Sequence, residues 1–282
     1  MPAFDTPGPI SVTIDIGGVG DLLITAEDRT DTVVQVRPTD ENDASDVKVA
    51  EQASVQFTDG VLVIRTPKPR PLGFSKKSQS VDVSIVLPTG SRLRGESAVG
   101  DLRGSGRLGE CAYKTATGHV QLDHVEALRV RTSAGHVTVG RVDGDAEIST
   151  STGRIRAGEI GGSVTVKNSN GNTDLGRVAG DIQVRCSNGD ITVRHAHGAR
   201  TEAETANGSI RLGEVTSATV VLKTATGDLE LGIGAGLPAK LSLSTGFGRV
   251  HNMLESTAES AEKSVAVRGE TSFGDITVHR AS

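Results

Sequence analysis

Apolar and polar residues alternate along most of the chain, and glycines interrupt the alternation at regular intervals. From Gly100 onward the spacing between these glycines is 17 to 19 residues over most of the repeat. Two and four residues after each glycine the side chain is mainly aliphatic, as at Val137 and Val139, with a polar residue between them. A period of two is typical of a β-strand that buries one face. The glycines are Gly100, Gly118, Gly135, Gly153, Gly171, Gly189, Gly208, Gly227, Gly248 and Gly274.

A second alternating run precedes each next glycine, as in Leu128–Thr132 and Ile182–Cys186. Each repeat of about 18 residues therefore contains two short strands separated by turns. This pattern predicts an all-β fold, a single flattened parallel β-solenoid (a β-roll or β-helix) in which each coil lies about 4.8 Å from the next. We expect a right-handed coil, because parallel crossovers are right-handed in nearly all proteins.

The turn residues agree with a solenoid. Asn-Gly pairs at 170–171, 188–189 and 207–208 suit the positive φ that a tight turn requires. We interpret several glycines as structural turns, and we expect valine to block the turn if it replaces Gly153 or Gly189. These structural turns are Gly118, Gly135, Gly153, Gly171, Gly189, Gly208 and Gly227.

A column of small polar residues stands three positions before the glycines. A side chain at this position can hydrogen-bond to the backbone or to the neighbouring coil. Cys186 belongs to the column, and Cys111 is equivalent to Leu128, so we interpret both cysteines as small core residues. The polar column is Thr115, Thr132, Thr150, Asn168, Cys186, Thr205, Thr224, Thr245 and Thr271.

The repeat divides the chain into three segments, which we predict to form one solenoid domain over 1–282. The regular coils occupy 100–251. The first 99 residues alternate less regularly, for instance at Val47–Phe57, and predict opening coils with a cap, because a solenoid end must be covered. The last segment, 252–282, contains a Ser/Ala/Glu-rich insertion at Asn252–Lys263, predicted as a short helix, and a final coil.

Composition indicates a thin core. The chain has 35 glycines, one tyrosine, five phenylalanines and no tryptophan. Large rings would separate two closely packed sheets, so aliphatic side chains and threonine must fill the interior. No apolar run is long enough for a transmembrane helix, the start of the sequence lacks the basic and apolar segments of a signal peptide, and two cysteines do not form a disulfide framework. We therefore expect a cytoplasmic protein.

Charge excludes one class of partner. Thirty basic and 35 acidic residues give a net charge of −5. Phosphate backbones would be repelled on average, and no aromatic residues are interleaved with a basic patch to stack on bases. Nucleic acid is therefore not an expected partner.

Three features of the sequence resemble a known family. The run Val83–Ser91 (V-S-I-V-L-P-T-G-S), the T-x-[TN]-G units that follow it and the ending Thr271–Val278 are similar to the bacterial putative-adhesin family with the "toastrack" fold of β-strand repeats. The resemblance extends from about Ile10 to His279. It implies a single-domain β-solenoid with no established catalytic residues. It also implies relatives that are exported, membrane-tethered or linked to cell-envelope stress modules.

Metal ligands are the first chemistry to consider. Calcium-binding β-rolls need an acidic residue in every turn, and the residue after the turn glycine varies among Asp, His, Arg, Asn and Ser. His119 and His136 occupy equivalent positions in adjacent coils, and His195 and His197 share one face. Either pair could supply two metal ligands, but neither has an evident third ligand, so we interpret them as solvent-facing side chains and predict no metal and no cofactor.

Catalytic residues are not evident either. Carbohydrate-cleaving β-helices need convergent carboxylates in a groove, whereas the acidic residues here are scattered. Glu202 and Glu204 share one face, but no second acidic column flanks them. No G-x-S-x-G nucleophile elbow is present. We therefore predict that the chain is not an enzyme.

The segment between Pro67 and Ser80 is unusually basic. It contains four basic residues and no acidic residue, so it is either a solvated linker or a contact for an acidic partner or a membrane surface. The residues of this predicted partner contact are Lys68, Arg70, Lys76 and Lys77.

These observations favour a non-catalytic structural or protein-interaction scaffold. Its partner is an unidentified protein or a second copy of the chain. An envelope-associated adhesin-like or stress-signalling protein, a subunit of a self-assembling filament and, last, a carbohydrate-active enzyme are the alternatives.

Overall fold

A computed structural model describes residues 2–67, 79–254 and 264–281, most of which lie in β-strands. Contacts within the chain define two compact units, Met1–Gly140 and Arg141–Ser282. We describe each unit by itself, and the prediction of one domain over 1–282 stays a prediction.

The first unit combines parallel and antiparallel strands. Strand β10 pairs in parallel with β9, β9 with β8 and β8 with β2, as the repeat predicts, whereas β1–β4, β4–β7 and β5–β6 are antiparallel. Its elements are β1 (Ala3–Asp5), β2 (Ser11–Val19), β3 (Leu22–Glu27), β4 (Asp31–Pro38), α1 (Ala44–Glu51), β5 (Ser54–Thr58), β6 (Val61–Arg65), β7 (Val81–Pro88), β8 (Arg92–Val99), β9 (Leu102–Thr117), β10 (Val120–Ala134) and the first residues of β11 (Val137–Val142).

The antiparallel strands and α1 form the irregular N-terminal end that the sequence predicts. The rings of Phe4 on β1 and Phe57 on β5 lie 5.3 Å apart. The alternation over Val47–Phe57 predicted strand throughout, and this was wrong for its first half. Asp43 caps a helix there by accepting a hydrogen bond from the backbone N–H of Ser45, which satisfies a free donor of the first turn.

The tyrosine is an exception to the aliphatic core. Tyr113 is 2% exposed although large rings were expected to be excluded from the interior. The adjacent position on β8 is Gly95, and a Cβ at Gly95 would contact the ring of Tyr113. The hydroxyl of Tyr113 lies 2.8 Å from Ser97 Oγ. A missing side chain on one strand therefore makes room for the ring on the next.

The second unit is a regular stack of parallel strands. Strands β14, β16, β18 and β20 pair in sequence along one side, and β15, β17, β19 and β21 along another. This confirms the predicted parallel β-solenoid with two strands per coil. The strands are β12 (Ala146–Thr152), β13 (Ile155–Ile160), β14 (Val164–Asn170), β15 (Thr173–Val178), β16 (Ile182–Asn188), β17 (Ile191–Ala196), β18 (Arg200–Asn207), β19 (Ile210–Val215), β20 (Thr219–Thr226), β21 (Leu229–Ile233), β22 (Ala239–Phe247), β23 (Val250–Asn252), β24 (Val265–Phe273) and β25 (Ile276–Arg280).

Alternate residues of these strands build the core. Val164, Val166 and Asn168 of β14 are buried, whereas Lys167 between them is exposed. Burial of an aliphatic side chain contributes about 1.5–3 kcal/mol before the entropic cost of ordering is subtracted. The core is therefore assembled from small contributions, two or three from each of the strands β14 to β20.

The last two coils are stacked in exchanged order. The sequence predicts that each coil stacks on the one before it, but β24 and β25 lie between β20/β21 and β22/β23. Strands β22 and β23 pair with β24 and β25 alone among the described residues, so this coil, 239–252, ends the stack. We call it the terminal coil. The prediction that each coil lies beside the next one in the chain was therefore wrong for this coil, which is not paired with β20 and β21.

The predicted helix in Asn252–Lys263 falls largely on residues outside the described ranges. Among the residues that are described, no helix is long and apolar enough to cross a membrane.

Candidate interaction site

The turn glycines have the backbone conformation that their predicted role requires. The φ angles of Gly118, Gly135, Gly153, Gly171, Gly189, Gly208 and Gly227 lie between +131° and +157°. The carbonyl group of a glycine in a neighbouring turn lies against Gly118, Gly135, Gly171, Gly189, Gly208 and Gly227. A Cβ on Gly189, for example, would overlap the carbonyl oxygen of Gly171. Only glycine fits such a corner, because strain and overlap act together.

The polar column joins these corners. The hydroxyls of Thr205, Thr224 and Thr271 donate to the carbonyl oxygens of Gly189, Gly208 and Gly227, at 3.2, 2.9 and 3.0 Å. In each case the glycine belongs to the adjacent coil. These three hydroxyls therefore hold neighbouring coils together.

The residue after most turn glycines also has a structural task. Where it is Asp, Asn or Ser, its side chain accepts a hydrogen bond from the backbone N–H of the equivalent residue one coil away, whereas arginine, as at Arg154 and Arg249, cannot accept. In the second unit, Asp190 N–H donates to Asn172 Oδ1, Ser209 N–H to Asp190 Oδ1 and Asp275 N–H to Asp228 Oδ1, at 3.1, 2.9 and 2.8 Å. Asp, Asn and Ser all supply such an acceptor, which explains why these three residue types can replace one another at the position.

Among its described residues, the second unit exposes large apolar side chains on the terminal coil and beside it, at Met253 and at Phe273 on β24. The rings of Phe247 and Phe273 stack in parallel, 5.0 Å apart, and are 72% and 54% exposed. Val250 and Met253 are 45% and 64% exposed. The inward-facing leucines of β22, Leu241 and Leu243, are only half-buried, while their counterparts on β24 are buried.

The charge of this coil differs from that of the chain. Residues 239–254 contain Lys240, Arg249 and His251 and no acidic residue, whereas the chain has a net charge of −5. All three basic side chains belong to exposed residues. The terminal coil is therefore a basic surface with apolar groups and an open strand edge. Sequence reasoning missed it because the exchange of coil order has no local signal.

A shallow groove of about 420 Å³ lies on the first unit, beside β8, β9 and β10. Its lining includes Arg94, Lys114, Arg129 and Arg131, together with Glu96. The lining also includes Asp15, the register partner of Glu96 on the neighbouring strand β2, so the groove has mixed charge.

The histidine pairs differ from each other. The rings of His119 and His136 stack 4.9 Å apart, and His119 Nδ1 accepts a hydrogen bond from the backbone N–H of His136. The rings of His195 and His197 lie 6.2 Å apart, with Glu214 beside them. The sequence analysis found no third ligand for this pair. The signal was available, since Glu214 stands 19 residues after His195, one coil along.

The remaining candidates offer little reactivity. Cys111 is fully buried, and burial raises the pKa of its thiol to about 12. Cys186 is half-buried, burial again raises its pKa, and its sulfur lies 3.7 Å from Thr173 Oγ1. Both cysteines are free thiols. Glu202 and Glu204 each lie 3.6 Å from the guanidinium of Arg185, so both carboxylates form ion pairs with this arginine.

The predicted partner contact lies outside the described residues, so its role stays a prediction. Its residues are Lys68, Arg70, Lys76 and Lys77.

Comparisons with known proteins match the whole chain to one family. A family model described as Toastrack DUF4097 matches residues 11–279. A putative adhesin from Parabacteroides merdae is similar in structure, with 14% identity, a TM-score of 0.41 and coverage of 100% of this chain and 95% of that one. For a putative adhesin from Bacteroides fragilis the values are 14%, 0.38, 98% and 95%, and for a putative lipid binding protein from Parabacteroides distasonis 10%, 0.33, 100% and 96%. No curated protein matches the chain.

Proposed function

The chain belongs to the toastrack DUF4097 family, and from that premise we propose that it is a non-catalytic protein-interaction scaffold whose terminal coil binds an extended acidic segment of a partner protein. The observation that supports this proposal is the open edge of β22. Among the described residues, this strand pairs with β24 on one side and with nothing on the other.

The backbone of β22 is suited to accept another strand. The carbonyl of Pro238 accepts a hydrogen bond from the N–H of Val265 on β24. Peptide groups alternate in direction along a strand, so those of Leu241, Leu243 and Thr245 face away from β24. A row of free donors and acceptors is a template for strand addition, in which backbone hydrogen bonds supply affinity and side chains supply specificity.

Charge and apolar exposure define the occupant. A segment with acidic residues complements Lys240, Arg249 and His251, and apolar side chains on the same segment can contact the exposed rings of Phe247 and Phe273. Two copies of this coil would bring together only basic side chains. A different protein with an acidic strand therefore fits this edge better than a second copy does.

A defined peptide tests the proposal. We expect an alternating Glu-Val nonapeptide to bind the full chain and a Lys-Val nonapeptide to bind at least ten-fold more weakly, by fluorescence anisotropy. K240E combined with R249E should abolish the preference for the acidic peptide. K167E is the matched control, because Lys167 is an exposed lysine on the interior strand β14. Equal binding of both peptides, or equal loss with K167E, would overturn the proposal.

A photo-crosslinking residue identifies the occupant in the native host. At Phe247 it should crosslink a partner through an acidic segment, and at Asn188, an exposed residue of the same column on an interior coil, it should not. Crosslinks between two copies at Phe247, together with concentration-dependent growth in size-exclusion chromatography with light scattering, would support a filament instead.

The cellular location stays a prediction that fractionation tests. The scaffold proposed for the cytoplasm remains in the supernatant, whereas an envelope-associated adhesin-like or stress-signalling protein sediments with membranes.

A further inference from the structure

A cluster of imidazoles and a carboxylate lies on the second unit, away from the terminal coil. His195 lies near the end of β17, and His197 is the residue just after this strand. Glu214 lies on β19. One candidate ligand atom from each residue lies within 4.8 Å of the other two. We propose that His195, His197 and Glu214 bind a divalent transition-metal ion such as Zn²⁺.

The backbone places the three side chains on one face. His195 and His197 are separated by one residue, so their side chains leave the chain on the same side. Glu214 is the parallel-sheet partner of His195, and the distance from His195 Nδ1 to Glu214 Oε2 is 3.0 Å. The two imidazole rings are nearly parallel, at 7°. The cluster is thus built on two neighbouring strands.

The donor set matches the chemistry of zinc. Two imidazoles and one carboxylate are a common zinc-ligand set, and a water completes four-coordination. Ligands bound at 2.0–2.1 Å around a tetrahedral ion lie about 3.4 Å from one another. The present separations of 3.0 to 4.8 Å bracket this value, and all three side chains are half-buried at the surface, so small rotations suffice.

Two further contacts orient His197. Its Nδ1 lies 3.1 Å from Thr216 Oγ1, and its Nε2 lies 3.3 Å from Arg177 Nη1. An arginine can only donate, so Nε2 accepts from Arg177 and Nδ1–H donates to the threonine. The Nε2 lone pair is the one that a metal would use. Arg177 therefore competes with the metal for this atom, and Glu214 supplies the negative charge that offsets the guanidinium.

Titration of the apo chain with ZnCl₂ tests the site. We expect isothermal titration calorimetry to give one ion per chain, and CoCl₂ to produce the visible absorption of a four-coordinate N/O site. E214Q and H197A should each weaken Zn²⁺ binding at least ten-fold. R177Q should tighten it several-fold, because His197 Nε2 loses its competing donor.

Matched controls come from the other histidine pair. H119A and H136A remove two stacked imidazoles from the first unit and should leave the affinity unchanged. In the wild type, Zn²⁺ should protect His195 and His197 from diethylpyrocarbonate, which tests the site without any variant. The proposal is overturned if wild type shows no saturable binding below millimolar Zn²⁺, if E214Q binds as wild type does, or if R177Q loses affinity.

Discussion

Asn168 contacts two corners of the second unit at once. Its Nδ2 donates to the carbonyl oxygens of Gly153 and Gly171, at 3.0 and 2.8 Å. Thr205, Thr224 and Thr271 each donate to the glycine carbonyl of the adjacent coil, and by the same relation Gly171 would accept from residue 186. Because Asn168 already binds Gly171, the column tolerates Cys186, whose thiol is a weak donor.

A double-mutant cycle tests this account of Asn168. N168T should cost about 1–2 kcal/mol in the free energy of unfolding, because the carbonyl of Gly171 loses its side-chain donor. C186T should be close to neutral in the wild type and should recover most of the loss in the N168T background. Chemical denaturation of the four proteins measures the coupling. Equal effects of C186T in both backgrounds would show that the two positions are independent.

Gly118 allows a controlled test of the corners. A Cβ at this glycine, whose φ is +157°, would overlap the carbonyl oxygen of Gly100, whereas a Cβ at Gly8 meets no atom within 4 Å. We expect G118A to lower the free energy of unfolding by about 2–4 kcal/mol, and G8A to change it by less than about 0.5 kcal/mol. Similar midpoints for the two variants in urea would contradict this.

Two buried groups make the first unit sensitive to alkali. Burial raises the pKa of Cys111 from 9.0 to about 12 and that of Tyr113 from 10.0 to about 12. The unfolded chain loses these protons first, so stability is complete below pH 9 and falls as pH rises towards 12. The destabilisation that C111A causes at pH 8 should shrink by about 2–3 kcal/mol at pH 11, measured by urea unfolding. A constant difference would contradict the raised thiol pKa.

At the scale of elements, the order of strands β22 to β25 in the stack differs from their order in the sequence. The terminal coil follows β20 and β21 in the chain, yet β24 and β25 lie between the terminal coil and these two strands. Strand β24 is therefore paired on both sides, while β22 is paired on one. The order of the last two coils in the stack is therefore the reverse of their order in the chain.

Hydrogen exchange should detect the exchanged order. Backbone amides of β24 should exchange at least ten-fold more slowly than those of β22, although β24 lies closer to the C terminus, because protection follows pairing and burial. Mass spectrometry of peptides from 239–247 and 265–273 gives the comparison. Faster exchange in β24 would place it at the end of the stack and would contradict the observed pairing.

Much of the fold could be predicted because local signals repeat. Alternation identifies strands, glycines mark the corners, and the spacing sets the register, so β14 to β21 could be located from the sequence alone. The same reasoning failed at α1, where a second local signal competes with the alternation. Val47 and Val49 alternate as in a strand but belong to α1, because the cap at Asp43 outweighs a two-residue pattern.

The candidate sites could be predicted less well. The histidine pair at 195 and 197 is visible in the sequence, and its third member, Glu214, follows from adding one coil length. The terminal coil could not be found in this way, since the sequence of β22 alternates between apolar and polar residues as an interior strand does. Its exposure depends on which coil lies beside it, and that depends on a long-range pairing with β24.

At the scale of the whole molecule, charge is distributed unevenly. The chain has an excess of five acidic residues, while residues 239–254 contain only basic ones. The net negative charge of the chain thus repels an acidic partner, whereas the basic residues of the terminal coil attract it. Such a distribution orients the approach of a partner more than it increases final affinity.

Ionic strength should therefore act on the rate of association. Raising NaCl from 50 to 500 mM should slow association of the acidic nonapeptide by about ten-fold and leave its dissociation rate nearly unchanged, because salt screens charges beyond a few ångströms. Stopped-flow fluorescence separates the two rates, and a neutral Gln-Val nonapeptide is the control. An association rate independent of salt would mean that the basic residues of the terminal coil do not steer binding.

The inserted position of β24 and β25 bears on biosynthesis. A ribosome delivers Ala239–Asn252 before Val265–Arg280, yet the later segment lies deeper in the stack. Winding from the first coil to the last in order of synthesis cannot yield this arrangement. The edge of β20 must await residues that are synthesised after the terminal coil, so the nascent protein exposes that edge until Val265–Arg280 have emerged, and a premature stop before 265 would remove an internal layer rather than an end.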